Sequence, residues 1–286
     1  MIIVRIIGGL GNQMFQYAIA KAMAKKNNDI FKFDITFYPK QTLRKYELNF
    51  FNIEENIATE EEVIKFRGKE DFLFKVKRKL GISFRRPKEY YKEKVITVFD
   101  KELWNKKGNL FIDGFWQNED YFKDIRSEIL TDFSLKNNIS YNAQKHLINI
   151  KNSQSVSLHI RRGDYVENTH TNTVHGTCSL NYYKESSKYI YKNIENPSFY
   201  IFSDDINWCK DNFDFLKDKV FVDDTEDQFD DLELMRCCKH NIIANSTFSW
   251  WGAWLNENRD KIVICPKIWW AGKSSFHIAA KDWIKL

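Results

Sequence analysis

The chain has 286 residues, 43% hydrophobic and 16% aromatic, with 44 Lys or Arg against 39 Asp or Glu for a net charge of +5. That is more than one typical domain and enough apolar material for two cores, so two α/β lobes of about 140 residues each are expected. No run is apolar for long enough to span a bilayer, and the odd set Cys178, Cys209, Cys237, Cys238 and Cys265 lacks a C-x-x-C ligand pattern, which argues against a membrane-spanning protein, a disulfide scaffold and a structural zinc site.

Residues 1–7 read as a hydrophobic strand, Gly8-Gly9-Leu10-Gly11-Asn12-Gln13 as a tight loop, and residues 14–26 as an amphipathic helix. Strand, glycine turn and helix form the opening of a Rossmann-type unit, but Met14 stands where the dinucleotide fingerprint wants its third small residue, and no Gly-Lys-Ser/Thr follows as in a P-loop. The loop can approach a ligand closely through Gly9 and Gly11, and Asn12 and Gln13 offer neutral hydrogen bonds suited to sugar hydroxyls. The first residues run straight into this loop and do not read as a secretory signal. Residues 65–94 carry twelve Lys or Arg against four Asp or Glu, a stretch that suits either an anionic membrane surface or a solvated helical excursion. The polar, turn-rich residues 136–142 mark the boundary between a first lobe, 1–140, and a second, 141–286.

The second lobe reads as alternating elements: strands at 155–160, 198–203, 219–222, 241–244 and 261–265, with a helix at 227–238. That alternation predicts a parallel sheet wrapped by helices. The first of these strands ends in His159-Ile160-Arg161-Arg162-Gly163-Asp164, where an open α/β sheet binds its ligand. An arginine fork matches a phosphate, and adjacent arginines on an extended strand face opposite ways, so Arg161 is assigned to the ligand and Arg162 to the scaffold. The same residues also read as an Arg–Asp surface ion pair. Asp164 is the first candidate for general base, with Glu167 as fallback, or it serves only to orient an arginine. In the run 241–255, Asn245, Ser246 and Thr247 form a helix start, an anion site to which Ser249 adds a hydroxyl, and Trp250, Trp251, Trp254 and Leu255 form the packing face. Asn245-Ser246-Thr247 is also a glycosylation sequon. The acidic pairs Asp204-Asp205, Asp223-Asp224 and Asp230-Asp231 are contiguous and make no Asp-x-Asp metal site, and His170, His175 and Cys178 fit no standard zinc spacing. No metal is assigned.

Taken together, Gly8 to Ala18, His159 to Tyr165, Phe202-Ser203-Asp204-Asp205 and Ala244 to Trp254 resemble the bacterial α1,2-fucosyltransferases of glycosyltransferase family 11, in the family's order and over nearly the whole chain. The resemblance implies a GT-B-like α/β fold of two Rossmann-like lobes with a cleft between them. It further implies GDP-fucose as donor substrate with no cofactor, a galactoside acceptor that can be lipid-linked, and inversion at the anomeric carbon. The first lobe is then the acceptor side, with Trp116 of Asp113 to Asn118 stacking on a sugar or lying in the core, and the second lobe binds the GDP-sugar. Donor contacts are expected from His159, Arg162, Ser203, Asp204, Asp205, Asn245, Ser246, Thr247, Ser249, Gly9 and Gly11, with a carboxylate of Asp204 or Asp205 reading guanine or capping the next helix. Acceptor contacts are expected from Asn12, Gln13 and Trp116. The site of action is cytoplasmic or peripheral at the inner membrane face, with no nucleic-acid partner. Another GDP-sugar such as GDP-mannose, or a non-catalytic glycan-binding role, is the competing reading.

Overall fold

The computed structural model describes residues 1–71, 74, 76, 79–80, 85–163, 176–271 and 277–286. The chain divides into two compact units, Met1–Lys136 and Asn137–Leu286.

In the first unit β1 (Ile2–Arg5), β2 (Phe31–Asp34), β3 (Tyr90–Lys92) and β4 (Leu110–Asp113) form a parallel sheet in the order β2-β1-β4-β3. Ile2 sits opposite both Phe31 and Leu110, so β1 is central, and Ile2, Ile3 and Val4 are fully buried as a parallel strand covered on both faces must be. Helix α1 (Leu10–Asn27) begins four residues before the expected start. Gly9 is extended at its N-cap and its carbonyl already accepts the N–H groups of Asn12 and Gln13, closing the first turn, while Leu10, Gly11 and Gln13 are packed inside. α2 (Glu60–Arg67) starts in a capping box: Thr59 Oγ1 accepts from Glu62 N (3.2 Å) and Glu62 Oε2 from Thr59 N (2.9 Å). Short helices α3 (Lys101–Trp104) and α4 (Arg126–Asp132) complete the unit among the described residues.

In the second unit the described helices are α5 (Tyr141–Lys151), α6 (Leu180–Asn193), α7 (Ile206–Asn212), α8 (Gln228–Cys237) and α9 (Thr247–Trp254). They alternate with β5 (Gln154–Ile160), β6 (Pro197–Ser203), β7 (Lys219–Phe221), β8 (His240–Ile242), β9 (Val263–Cys265) and β10 (Ile284–Lys285), all parallel. The order β7-β6-β5-β8-β9-β10 is the doubly wound one, three strands running outward from β5 on one side and three from β8 on the other. Val156, Leu158, Ile160, Phe199, Ile201, Ile242 and Ile264 fill its core, each fully buried aliphatic worth about 1.5–3 kcal/mol. Trp250, Trp251 and Trp254 are core residues as well, and Trp250 Nε1 donates to the Ile278 carbonyl (2.6 Å).

The two parallel sheets show the expected α/β class with Rossmann-like units. The five thiols form no disulfide; Cys209, Cys238 and Cys265 are buried, whereas Cys178 and Cys237 are half-buried. Among the described residues no helix is long and apolar enough to cross a membrane.

Candidate active site

The winding of the second sheet reverses between β5 and β8, the point at which open α/β sheets bind ligands outside the carboxyl ends of their strands. Both runs singled out in the sequence end there: β5 leads into Arg161-Arg162-Gly163, and β8 leads through Asn245 and Ser246 into α9.

The two arginines, just past the end of β5, take different partners. Arg161 Nη1 pairs with Asp204 Oδ2 at 3.0 Å, and the main-chain N–H of Arg162 donates to Asp204 Oδ1 at 2.8 Å. Arg162 turns to Asp205, with Nε 3.2 Å from Oδ2, and its guanidinium lies 3.8 Å from the ring centre of Trp208 on α7. Register explains the meeting, since His159 pairs with Phe202 and Ile160 with Ser203, so the residues following each strand run side by side. Gly163 is required by this closeness, because a Cβ there would sit 2.8 Å from Asp204 Oδ2.

Several expected contacts are corrected by this geometry. Asp204 pairs with Arg161 and accepts from Arg162 N, and Asp205 accepts from Arg162 Nε and from Trp208 N at 3.2 Å, so this pair holds the arginines and caps a helix, the second of the two roles expected of it. Ser203 Oγ accepts from Asp205 N (3.0 Å) and supports the same turn. Arg162, bound and stacked, belongs to the scaffold.

Asn245 is 4% exposed and donates to the carbonyls of Gly176 (3.0 Å) and Trp269 (3.3 Å), while its Oδ1 faces Cys178 Sγ at 3.5 Å; it fastens loops rather than a ligand. Ser249 is fully buried and accepts from Ala244 N (3.1 Å). Ser246 is the N-cap of α9, yet no side chain caps the helix, contrary to the well-capped start expected. Among the described residues, the first amides of α9 and the neighbouring hydroxyls of Ser246 and Thr247 are the part of this segment suited to an anion.

His159 is 6% exposed, with Phe248 of α9 beside it at 5.8 Å between ring centres. Burial pushes its imidazole down to about 4, Asp204 opposing and Arg161 reinforcing the fall, so the ring is neutral at physiological pH. Its Nδ1 is buried without a hydrogen-bond partner in the described structure, a cost of about 1–3 kcal/mol that a ligand group could relieve. Asp164, Glu167, His170 and His175 lie outside the described residues. Among the described residues no group of three or more His, Cys, Asp or Glu is placed to hold a metal ion.

The glycine loop belongs to the first unit. Gln13, expected to face a sugar, is fully buried and bound by the backbone: Nε2 donates to Gly8 O (3.2 Å) and Lys45 O (2.8 Å), and Oε1 accepts from Glu47 N (2.9 Å). Trp116 is fully buried edge-on against Tyr121 and offers no face for stacking. Gly11 lies buried in the first turn of α1, while Gly9 is half-buried at its N-cap. Asn12 keeps a half-exposed position, its Oδ1 accepting from Gln117 Nε2 at 2.8 Å. Sequence reasoning missed Glu93, which follows β3 and binds the main chain of Phe115 and Trp116; no local pattern marks it.

A doubly wound parallel sheet that carries an arginine on a carboxylate after one strand of its reversal point, and a helix start without a side-chain cap after the other, belongs to the GT-B-like fold class. The chain belongs to glycosyl transferase family 11, whose model matches residues 1–286. It is 35% identical to an Escherichia coli alpha-1,2-colitosyltransferase over 100% of this chain and 99% of that protein, and 33% identical to the Escherichia coli O-antigen biosynthesis glycosyltransferase WbnK over 98% of each. The galactoside alpha-(1,2)-fucosyltransferase 1 of Leontopithecus chrysomelas is 28% identical over 51% of this chain and 43% of its own. Among solved structures, POFUT1 in complex with GDP-fucose shares the fold with a TM-score of 0.50 at 15% identity, over 91% of this chain and 96% of that one.

Proposed function

We propose that this family 11 enzyme is an inverting α1,2-fucosyltransferase that moves fucose from GDP-fucose to a hydroxyl of a galactose-containing oligosaccharide of the O-antigen or capsule type. The second unit binds the donor and the first the acceptor. The observation that carries this reading is Arg161, paired with Asp204 after β5, on one of the two strands at the reversal point of the sheet, with α9 starting without a side-chain cap after the other.

In the reaction the acceptor oxygen attacks the anomeric carbon as the C–O bond to the β-phosphate breaks, through an oxocarbenium-like state. Arg161 and the α9 amides stabilise the negative charge growing on the departing diphosphate, so the donor needs no metal for that purpose. Neutral His159 contributes a hydrogen bond without adding charge. The acceptor proton passes to Asp164, with Glu167 as the alternative base, or late to the departing phosphate; turnover at the normal rate by both Asp164→Asn and the Asp164→Asn, Glu167→Gln double variant selects the last route.

The match to a colitosyltransferase favours one second reading, a GDP-colitose donor. Colitose is fucose without its 3-hydroxyl, so the choice depends on one hydrogen bond in the sugar pocket. The deciding experiment is calorimetric titration of GDP-fucose, GDP-colitose, GDP-mannose, UDP-galactose and GDP with chelator present, followed by transfer to galactosides. Binding and transfer from GDP-fucose in chelator are expected. Tight GDP-mannose or GDP-colitose binding moves the donor assignment, activity that needs added Mg²⁺ refutes metal independence, and no nucleotide binding at all refutes the transferase reading.

The enzyme is assigned to the cytoplasm, with residues 65–94 either a solvated excursion or a peripheral contact with the inner membrane face. Not all of that segment's charge is available: Arg67 pairs with Asp34, and Arg86 bonds Glu70 (2.7 Å) and the Arg67 carbonyl (2.8 Å) while lying 4.5 Å from the Phe74 ring centre and 4.4 Å from that of Tyr90. Leu80, 67% exposed, adds an apolar contact. Liposomes rich in anionic lipid retain the protein at low salt and release it at high salt on this account, and equal recovery with neutral liposomes contradicts it.

A further inference from the structure

At the carboxyl edge of the first sheet, a carboxylate that the mechanism above does not use binds one loop at two consecutive amides. Glu93 follows β3 directly; its Oε2 accepts from Phe115 N at 2.7 Å and its Oε1 from Trp116 N at 2.9 Å. The loop it holds, residues 113–118, is fastened along its length. Gln16 Nε2 donates to the Gly114 carbonyl (3.0 Å) while Gln16 Oε1 accepts from Ile7 N (2.9 Å), which joins this loop to the entry of the glycine loop. Gln117 donates to Asn12 (2.8 Å), and Asn118 Nδ2 donates to the Thr97 carbonyl (2.7 Å).

The fastening holds an unfavourable conformation. Four described non-glycine residues have positive φ; Asn28 and Asn196 are the residue type that tolerates it, whereas Trp116 (φ 57°) and Thr97 (φ 78°) are a bulky and a β-branched residue, and both lie here. Trp116 Nε1 and Gln117 Oε1 are buried with no hydrogen-bond partner in the described structure. A folded chain keeps such a cluster of costs only where the surroundings impose it, and strain of this kind gathers at functional sites. Gly114 makes the grip possible: a Cβ there would overlap the Glu93 stem and sit 2.7 Å from Oε2 and 3.0 Å from the Trp116 ring.

We propose that Glu93 is a positioning residue for sugar transfer, whose carboxylate holds Gly114–Trp116 in the left-handed turn that presents the half-exposed Asn12 and the neighbouring loop to the acceptor sugar. The proposal rests on the transferase reading and on the first unit being the acceptor side.

Only the ionised group has an acceptor for both amides. Protonation places an O–H against one N–H and loosens the turn. Burial pushes the Glu93 carboxyl up to about 7, the two amide bonds opposing and the negative charge of Asp113 reinforcing the rise. The groups facing it are Asp113 of β4, itself bonded to Arg5 (3.0 Å) and Tyr90 (2.6 Å), and the phenol of Tyr121, which senses the Glu93 charge. A carboxyl whose value is raised by folding makes the fold less stable as pH climbs from the unfolded value of about 4.5 to about 7, because the native state gives up its proton last. Activity that needs the carboxylate rises over the upper part of the same interval. Stability and transfer therefore move in opposite directions with pH, which a purely structural anchor does not produce.

The test uses the full chain and compares Glu93→Gln and Glu93→Asp with the native protein. In Glu93→Gln the acceptor KM is expected to rise on the order of tenfold or more, the scale of one charge-assisted hydrogen bond, while GDP affinity measured by calorimetry is unchanged. The acid limb of kcat/KM with midpoint near pH 7 disappears in Glu93→Gln and returns in Glu93→Asp. An unchanged acceptor KM with the acid limb intact in Glu93→Gln overturns the proposal. If Glu93→Gln does not fold, the native enzyme decides: transfer and thermal stability changing in the same direction between pH 6 and 8 overturn it. If the native enzyme transfers no sugar, the functional reading has failed, and the amide resonances of Phe115 and Trp116 test the latch alone, since they must titrate together near pH 7.

Discussion

Arg161→Ala is expected to lower the rate of sugar transfer about 10²–10³-fold, the usual loss when one preorganised donor to a developing oxyanion is removed. Two effects act in the same direction. The growing charge on the diphosphate loses its fork, and Asp204, which now faces Arg161 at 3.0 Å, is left as an unneutralised carboxylate beside it. Asp204→Asn in the Arg161→Ala background should thus recover part of the loss, a non-additivity expected of groups in direct contact. Arg161→Lys keeps the charge and loses the bidentate geometry, so it should fall between. Measured at saturating donor, kcat in Arg161→Ala within a few-fold of the native value removes Arg161 from the mechanism.

The largest stability effect is expected in the first unit. Arg67 Nη1 bonds Asp34 Oδ2 at 2.6 Å, with side-chain exposures of 7% and 0%. Arg67→Met strands a carboxylate at the end of β2 whose Oδ2 loses its charged partner, Oδ1 being bound to Thr36 N at 3.0 Å. Breaking a buried pair in this way costs about 3–5 kcal/mol, while replacing both partners by apolar groups is often close to neutral. The Arg67→Met, Asp34→Leu double variant should thus be more stable than Arg67→Met alone. Urea unfolding checks both; a loss below about 1 kcal/mol in Arg67→Met would show that water reaches Asp34 once the arginine is gone.

What the sequence disclosed depended on how local the cause is. β5 and β8 were legible because alternating or continuous apolar runs stopped at glycine or at Ser and Thr, and Arg161 and Arg162, just past the end of β5, take different partners as adjacent residues of an extended chain do. The role of Asp204 was not legible, because it arises from the register that places Ser203 opposite Ile160, a pairing between residues 43 positions apart that neither strand encodes alone. Glu93 and Trp116 are joined in the same way across 23 positions. Gln13 and Ser249 were misread for a related reason: a polar side chain after a glycine or in a helix start suits a ligand and a buried backbone amide equally well, and only packing decides between them. α9 was expected with a good cap, and the open start that the structure has instead is the more useful one for an anion.

The burial of Asn245 also bears on where this protein can be made. Its side-chain amide, the nitrogen to which an oligosaccharide would be attached, is committed to the carbonyls of Gly176 and Trp269. A secretory pathway that modifies Asn-x-Ser/Thr acts while the chain is still being threaded and unfolded, before those carbonyls are in reach. A glycan installed there would leave at least one of two buried carbonyls without its donor and force a bulky polar group against Cys178 and Trp269. Secreted recombinant material should accordingly be misfolded unless Thr247 is replaced by alanine, which removes the signal and leaves the buried amide in place.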